Sequence, residues 1–134
     1  MVTRGIHHLG VAVPDLDEAI ETYTRLFGAT LEHRAIVPGQ GVEAAAVLIG
    51  DSRVELLAPT ADDTPVGRFL ARRGPGLHHV AYVVDDLAAA LADLAAAGAQ
   101  LIDESPRAGL FGLQVAFVHP DAVHGVLTEV VSIG

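Results

Sequence analysis

Two adjacent histidines occur twice in this chain, in closely similar surroundings. The pairs begin at His7 and His78, and each pair follows an apolar residue and precedes an apolar run and an Asp-Leu dipeptide. A single acid also lies inside an apolar run near the end of each half of the chain, at Glu55 and at Glu129. Burying a carboxylate is costly unless it is paired or bound to a cation. Imidazole and carboxylate groups are both ligands of divalent metal ions, so the repeated pattern predicts a metal site.

Strand alternation separates the two members of each histidine pair, because neighbouring side chains in a strand point to opposite faces. His8 shares a face with the small residues Gly10 and Ala12, and His79 shares one with Ala81. Both faces of each strand are apolar, so periodicity alone leaves the choice open. The small residues beside the second histidine of each pair, His8 and His79, indicate that these two histidines lie on a face that lines a cavity. The candidate ligands, one histidine and one acid from each half, are His8, Glu55, His79 and Glu129.

The equivalent positions of the four candidates in a repeat support the hypothesis that they bind a metal. A single histidine in a strand is more often a hydrogen-bonded structural residue, and a single strand glutamate more often faces solvent. We therefore expect structural roles for the remaining histidines in the strands and turns, His7, His33, His78 and His124. Two imidazoles and two carboxylates suit Co, Ni, Zn, Fe or Mn more than Ca.

Composition excludes several classes of protein. The chain has 134 residues, about half of them apolar, no cysteine and a formal charge of -9. That charge disfavours nucleic-acid binding, which needs a basic patch to neutralise phosphates. Without cysteine there is neither a disulfide framework nor a thiolate metal site. No signal peptide or apolar run of membrane-spanning length is apparent, so we expect a cytoplasmic location.

The repeat also predicts how the chain is organised. We expect a single domain over residues 1–134, built from a first module at 5–60, a connector at 61–75 and a second module at 76–132. Each module is predicted to follow the order β-α-β-β-β. Helices and strands alternate too unevenly for a doubly wound sheet, so the pattern favours the α+β class with mostly antiparallel sheets.

Local signals place the predicted elements. Asp15 is a predicted N-cap of the first helix, which Gly28 should end. In the second module a short strand is expected at residues 101–102, followed by a loop rich in Gly and Pro. The last two strands are expected at residues 113–118 and 125–131.

Several runs of this sequence resemble the vicinal oxygen chelate (glyoxalase/bleomycin resistance/dioxygenase) superfamily and, within it, the methylmalonyl-CoA epimerase family. The resemblance covers residues 6–131, and its last run is the most specific. The runs are His-His-Leu-Gly-Val-Ala-Val-Pro-Asp-Leu from His7, Gln-Gly-Val from Gln40, Val-Glu-Leu-Leu-Ala-Pro from Val54, Gly-Leu-His-His-Val-Ala from Gly76, Glu-Ser-Pro-Arg from Glu104, and Phe-Val-His-Pro from Phe117 through Gly-Val-Leu-Thr-Glu from Gly125.

The resemblance implies a fold, a reaction and a cofactor. The fold would be two tandem βαβββ modules forming a curved mixed sheet around a metal site, usually in a homodimer. The reaction would be metal-dependent epimerisation at C2 of methylmalonyl-CoA, an acyl-CoA substrate, through an enolate that the metal stabilises. The ion would be of the cobalt type: Co²⁺ is expected, with Ni, Zn, Mn or Fe as alternatives. The family's ligand positions are the same four residues, His8, Glu55, His79 and Glu129.

The sequence departs from one branch of that family at a proposed base. In that branch a glutamate follows four residues after the Gln-Gly-Val glutamine, where this chain has Ala44, and Glu43 is one residue early. A one-residue shift in a strand moves a side chain to the opposite face, so Glu43 is not a substitute. We therefore expect Glu129 and Glu55 to be the catalytic bases as well as ligands.

Two other functions stay open on the sequence. The first is a glyoxalase-I-like isomerase, which would share the four-ligand site and act on a thiol adduct. The second is a non-catalytic small-molecule-binding protein of the same fold. Such a binder needs no metal, and the presence of all four ligands disfavours it.

Overall fold

The computed structural model describes residues 1–133, which contain eight strands and three α-helices. The strands are β1 (Thr3–Ala12), β2 (Thr30–Val37), β3 (Val42–Ile49), β4 (Ser52–Pro59), β5 (Gly76–Val84), β6 (Arg107–Ala108), β7 (Gln114–Val118) and β8 (Thr128–Ser132), and the helices are α1 (Leu16–Phe27), α2 (Pro65–Arg73) and α3 (Leu87–Ala96). The order β-α-β-β-β occurs twice, with α2 between the two sets. The expected α+β fold of two tandem βαβββ modules is therefore confirmed.

The chain divides into two compact units. One is His8–His78, called the first unit below, and the other combines Met1–His7 with His79–Gly134 and is called the second unit. The predicted module boundaries at 60 and 76 are not tested by this division and stay a prediction.

In the first unit the strands are hydrogen-bonded in the order β2-β3-β4-β1. The β1 and β4 strands pair in parallel, whereas β2, β3 and β4 pair antiparallel in sequence. One face of these strands packs on α1. The buried residues of that core are Val13, Leu16, Ala29, Ala45, Val47, Leu56 and Ala58. Because α1 covers this face, the opposite face is the one that presents Ala44, Ala46 and Glu55.

The second unit repeats this arrangement with the order β5-β8-β7-β6. Here β5 and β8 are parallel, and β8, β7 and β6 are antiparallel neighbours. Helix α3 packs on one face. The buried residues of that core are Val84, Leu87, Ala90, Leu91, Ala116, Val118 and Val130. Each module thus contains both parallel and antiparallel pairs, as a mixed sheet requires.

Both histidine-bearing strands lead into helices through the same cap. The Asp15 carboxylate accepts a hydrogen bond from the Glu18 amide at 3.0 Å, and Asp86 accepts one from the Ala89 amide at the same distance. Such caps satisfy amides that have no partner within the helix. Helix α1 ends as predicted at Gly28, which has a left-handed backbone with φ 66°. The repeat in sequence is therefore a repeat in local structure.

The strand expected at residues 101–102 was predicted wrongly. Leu101 forms only an isolated bridge to Val118, and the short strand β6 instead lies inside the predicted loop. The amides of Ile102 and Asp103 both donate to the Phe117 carbonyl, at 2.9 and 3.2 Å. The Asp103 carboxylate then accepts the Phe117 amide at 2.9 Å. A side chain replaces the backbone carbonyl that a regular ladder would use, so the strand cannot continue.

The final strand begins later than the sequence predicted. Residues 120–123 form a 3-10 turn, and His124 and Gly125 both adopt positive φ. Strand β8 therefore begins at Thr128 and not at 125. None of the helices in residues 1–133 has the length and apolar character needed to cross a membrane.

Candidate functional site

The first histidine–glutamate pair lies within the first unit. In the parallel pair of β1 and β4, Glu55 is the register partner of Gly10, two residues after His8 on the same face. A residue without a side chain lies beside the acid, so the Glu55 carboxylate reaches along the face to the histidine. The His8 Nε2 and Glu55 Oε2 atoms are 3.4 Å apart. The register of two strands therefore places the imidazole beside the carboxylate.

The second pair repeats this geometry within the second unit. Glu129 on β8 is the register partner of Ala81 on β5, and Ala81 is two residues after His79. The His79 Nε2 and Glu129 Oε1 atoms are 3.7 Å apart. A small residue again lies beside the acid. The two modules thus use one construction: a histidine, a small residue two positions later, and a glutamate opposite that residue on the parallel strand.

All four side chains are buried. His8, His79 and Glu129 are each 2% exposed and Glu55 is 6% exposed. Carboxylates at this depth are stable only when paired, hydrogen-bonded or bound to a cation. The separations of 3.4 and 3.7 Å are long for a direct hydrogen bond between the two atoms of each pair. Each pair therefore offers one buried nitrogen and one buried oxygen atom that could bind a metal ion. A role of these residues as metal ligands stays a prediction.

Two other histidines have different surroundings: His78, for which a structural role was expected, and His119. His78 packs edge-to-face on Phe69, with ring centroids 5.0 Å apart, and its burial lowers its pKa to about 4. His78 is therefore neutral at physiological pH. His119 caps the 3-10 turn that follows it, because its Nδ1 atom accepts the Asp121 amide at 3.1 Å.

The two residues at the expected base position lie on opposite faces of β3. Ala44 is fully buried and, as the register partner of Leu57, lies on the face of Glu55. Glu43 faces the other way and forms an ion pair with Arg34, which also contacts Asp17. The face that could supply a base at position 44 therefore has a methyl group there.

Arg53 lies on the same strand and face as Glu55, two residues before it. Its guanidinium donates to both carboxylate oxygens of Glu32, at 2.7 and 3.0 Å. The hydrogen bond to Glu32 raises the pKa of Arg53, and the charge of Glu55 raises it further. This bidentate pair links Arg53 on β4 to Glu32 on β2.

Three residues of the second unit were missed as part of the site. The ring of Phe117, the register partner of Glu129, meets the His79 imidazole edge-to-face with centroids 5.4 Å apart. The Arg107 guanidinium lies 5.7 Å from the centroid of the same ring, and its Nε atom is 3.3 Å from an Asp103 oxygen. In the sequence, the Glu-Ser-Pro-Arg run that ends at Arg107 and the Phe-Val-His-Pro run that begins at Phe117 pointed to this region, but neither indicated these contacts.

Comparison with known families assigns the class of protein. A model of the glyoxalase/bleomycin resistance protein/dioxygenase superfamily matches residues 7–117, so this chain belongs to that superfamily. Its similar relatives are more specific. A mitochondrial methylmalonyl-CoA epimerase of Dictyostelium discoideum is 34% identical over 92% of this chain and 75% of its own length. An ethylmalonyl-CoA/methylmalonyl-CoA epimerase of Cereibacter sphaeroides is 33% identical over 92% of this chain and 94% of its own length.

Solved structures give the same result. A methylmalonyl-CoA epimerase in complex with methylmalonyl-CoA and ammonium superposes with a TM-score of 0.95 and 37% identity, over 98% of this chain and 95% of the other. The epimerase of Mycobacterium tuberculosis also gives a TM-score of 0.95, at 35% identity, over 98% of this chain and 89% of the other. The vicinal oxygen chelate fold and the similarity to epimerases are both confirmed.

Proposed function

We propose that this protein epimerises methylmalonyl-CoA at C2 with a divalent metal ion held by His8, Glu55, His79 and Glu129. The observation that supports it is the repeated construction of the two buried histidine–glutamate pairs, in a chain whose named relatives are epimerases. Those relatives favour this reaction over the glyoxalase-I-like isomerase and the non-catalytic binder. The enolate route and the identity of the metal are part of the proposal.

The donor atoms present fit a divalent ion of the transition series. Two imidazole nitrogens and two carboxylate oxygens are a ligand set for cobalt, nickel, zinc, iron or manganese. Ligands about 2.1 Å from one ion are roughly 3.0–3.6 Å apart at ligand–metal–ligand angles between about 90° and 120°. The separations within the two pairs, 3.4 and 3.7 Å, lie within or just beyond this range. We propose Co²⁺ as the native ion.

The two glutamates would move the proton. When bound, a divalent ion would supply positive charge that stabilises the negative charge developing on the thioester oxygen as the C2 proton leaves. Epimerisation needs one proton removed from one face of C2 and another delivered to the opposite face. Since Ala44 has no carboxylate, we assign one face to Glu129 and the other to Glu55. Their equivalent positions in the two modules support this pairing.

Three further expectations belong to the proposal. The substrate would be an acyl-CoA, as in the epimerase complex described above. The assembly would be a two-fold symmetric homodimer, which light scattering at micromolar concentration tests. A protein that stays monomeric there would contradict the expected dimer. The cytoplasmic location expected from the sequence also remains a prediction.

The experiment is metal analysis of the purified protein together with an epimerisation assay. A single enantiomer of methylmalonyl-CoA is supplied to the protein as isolated, after chelation, and after reloading with Co²⁺. We expect stoichiometric metal, loss of activity on chelation and recovery on reloading. A protein that remains inactive with every divalent ion would overturn the proposed function. Full activity after complete metal removal would overturn the metal's role.

A further inference from the structure

We propose that Arg107 recognises an anionic oxygen group of the acyl-CoA substrate, which makes it a residue that determines specificity. This inference rests on the proposed function. The group is a carboxylate or a phosphate, because both offer the paired oxygens that a guanidinium binds with two parallel N–H donors. The basis is the position of Arg107 on the face of the second unit that presents His79 and Glu129.

Strand register places Arg107 on that face. Arg107 is the partner of Val115, and Phe117 is two residues after Val115 on the same strand and therefore on the same face. Phe117 is in turn the partner of Glu129. The line from β6 across β7 to β8 therefore presents the guanidinium, the phenyl ring and the glutamate on one side of the sheet.

Side-chain contacts fix the guanidinium there. It lies over the Phe117 ring, a cation–π arrangement, and the same ring makes an edge-to-face contact with the His79 imidazole. The Asp103 carboxylate forms an ion pair with Arg107, with 3.3 Å between the Nε atom and an Asp103 oxygen, and also accepts the Phe117 amide. Asp103 is thus a positioning residue that ties the arginine to the strand. An arginine stacked on an aromatic ring presents its planar N–H edge in a fixed direction, which favours bidentate binding of an anion.

The module comparison shows that this arrangement is specific to the second unit. The position equivalent to Phe117 in the first unit is Ala46, the partner of Glu55. An alanine there offers no ring for a cation to stack on. Arg53, the arginine on the Glu55 face, is instead held bidentately by Glu32. The two glutamates therefore lie in different surroundings, and only Glu129 has a stacked guanidinium near it.

Charge adds a reason for such a residue. The chain has a formal charge of -9, which repels an anionic substrate at long range. An acyl-CoA with a free carboxylate is itself strongly anionic, so binding needs local positive charge near its oxygens. The second unit contains two arginines, Arg4 and Arg107, and no lysine. Arg4 is already engaged in an exposed bidentate pair with Asp85.

The test measures binding of methylmalonyl-CoA to metal-loaded wild-type protein and to three variants by titration calorimetry. Arg107→Met removes the charge, and Arg107→Gln serves in its place should the first variant fail to fold. Arg25→Met is the matched control, since Arg25 forms the same type of i,i+4 ion pair, with Glu21, on a helix surface. We expect the Arg107 variants to raise the Kd by about 10-fold or more, the scale of a lost charged hydrogen bond. The control should change it less than about 2-fold.

Methylmalonyl-pantetheine, which lacks the nucleotide phosphates, identifies the group that is recognised. An equal loss of affinity for both ligands assigns Arg107 to the acyl carboxylate, and a loss confined to the CoA ester assigns it to the phosphates. A Kd within 2-fold of wild type in the Arg107 variants, or an equal loss in Arg25→Met, overturns the inference alone. A wild-type protein with no affinity for methylmalonyl-CoA would overturn the proposed function together with it.

Discussion

Replacing Glu55 by glutamine separates the two roles proposed for this side chain. The substitution keeps the volume of a residue that is 6% exposed, so it opens no cavity, and the amide oxygen can still ligate a metal. The lost function is proton transfer, which typically contributes 10²–10⁴-fold to a rate. In free-energy terms that is about 3–5 kcal/mol of the barrier. We therefore expect Glu55→Gln to retain metal but lose at least about 100-fold in epimerisation.

The assay follows each enantiomer of methylmalonyl-CoA separately in D₂O. Glu55→Gln should still exchange the C2 proton of one enantiomer through Glu129, without converting it efficiently to the other. The matched control is Glu43→Gln, because Glu43 lies on the opposite face of β3 in an ion pair with Arg34. We expect that control to epimerise at the wild-type rate. Wild-type epimerisation by Glu55→Gln would refute the assignment and leave Glu55 as a ligand only.

Three further predictions concern the base position, a helix cap and an ion pair. Adding Ala44→Glu to Glu55→Gln should raise the epimerisation rate at least about 10-fold over Glu55→Gln alone. The reason is that residue 44 lies on the same face as Glu55, where a positioned base contributes at least that much. No recovery in a folded, metal-loaded double variant would argue against a base at this position. Asp15→Ala should lower the free energy of unfolding by about 1 kcal/mol in urea titrations, because it removes the N-cap of α1. An unfolding curve with the wild-type midpoint and slope would exclude a stabilising cap. The hydrogen bond from Arg4 lowers the pKa of Asp85, so the stabilisation from this pair is present above the unfolded pKa of about 3.9 and is lost as the pH falls. Arg4→Gln should therefore have a lower free energy of unfolding than wild type at pH 7, and the two values should converge in acid. A difference that does not shrink in acid would contradict this.

Much of the fold follows from the sequence because its signals are local. The N-cap at Asp15 and the left-handed stop at Gly28 both depend on residues within one helical turn, and the structure has both. The strand misplaced at residues 101–102 depends on a bond of a different kind. There the Asp103 carboxylate captures the Phe117 amide, fourteen residues away. The pattern of apolar residues in a short segment cannot predict a long-range hydrogen bond between a side chain and the backbone.

The candidate site divides in the same way. The burial of the second histidine of each pair follows from strand alternation and from the small residues on its face. The position of each glutamate beside its histidine depends on the parallel register, which the repeat made plausible but could not specify. The contact between the arginine and the phenylalanine of the second unit was missed because Arg107 lies on the two-residue strand β6, inside a predicted loop, and reaches Phe117 on β7. Their contacts are cation–π and edge-to-face packing, which leave no spacing rule in the sequence.

The measurement that tests the central claim most directly is deuterium incorporation at C2 of one pure enantiomer of methylmalonyl-CoA, followed by proton NMR with metal-loaded wild-type protein. The account predicts that the C2 proton signal disappears as the other enantiomer accumulates. It also predicts that the exchange stops when the metal is chelated and resumes when Co²⁺ is restored. A C2 proton that remains unexchanged with metal-replete, folded protein would contradict the account.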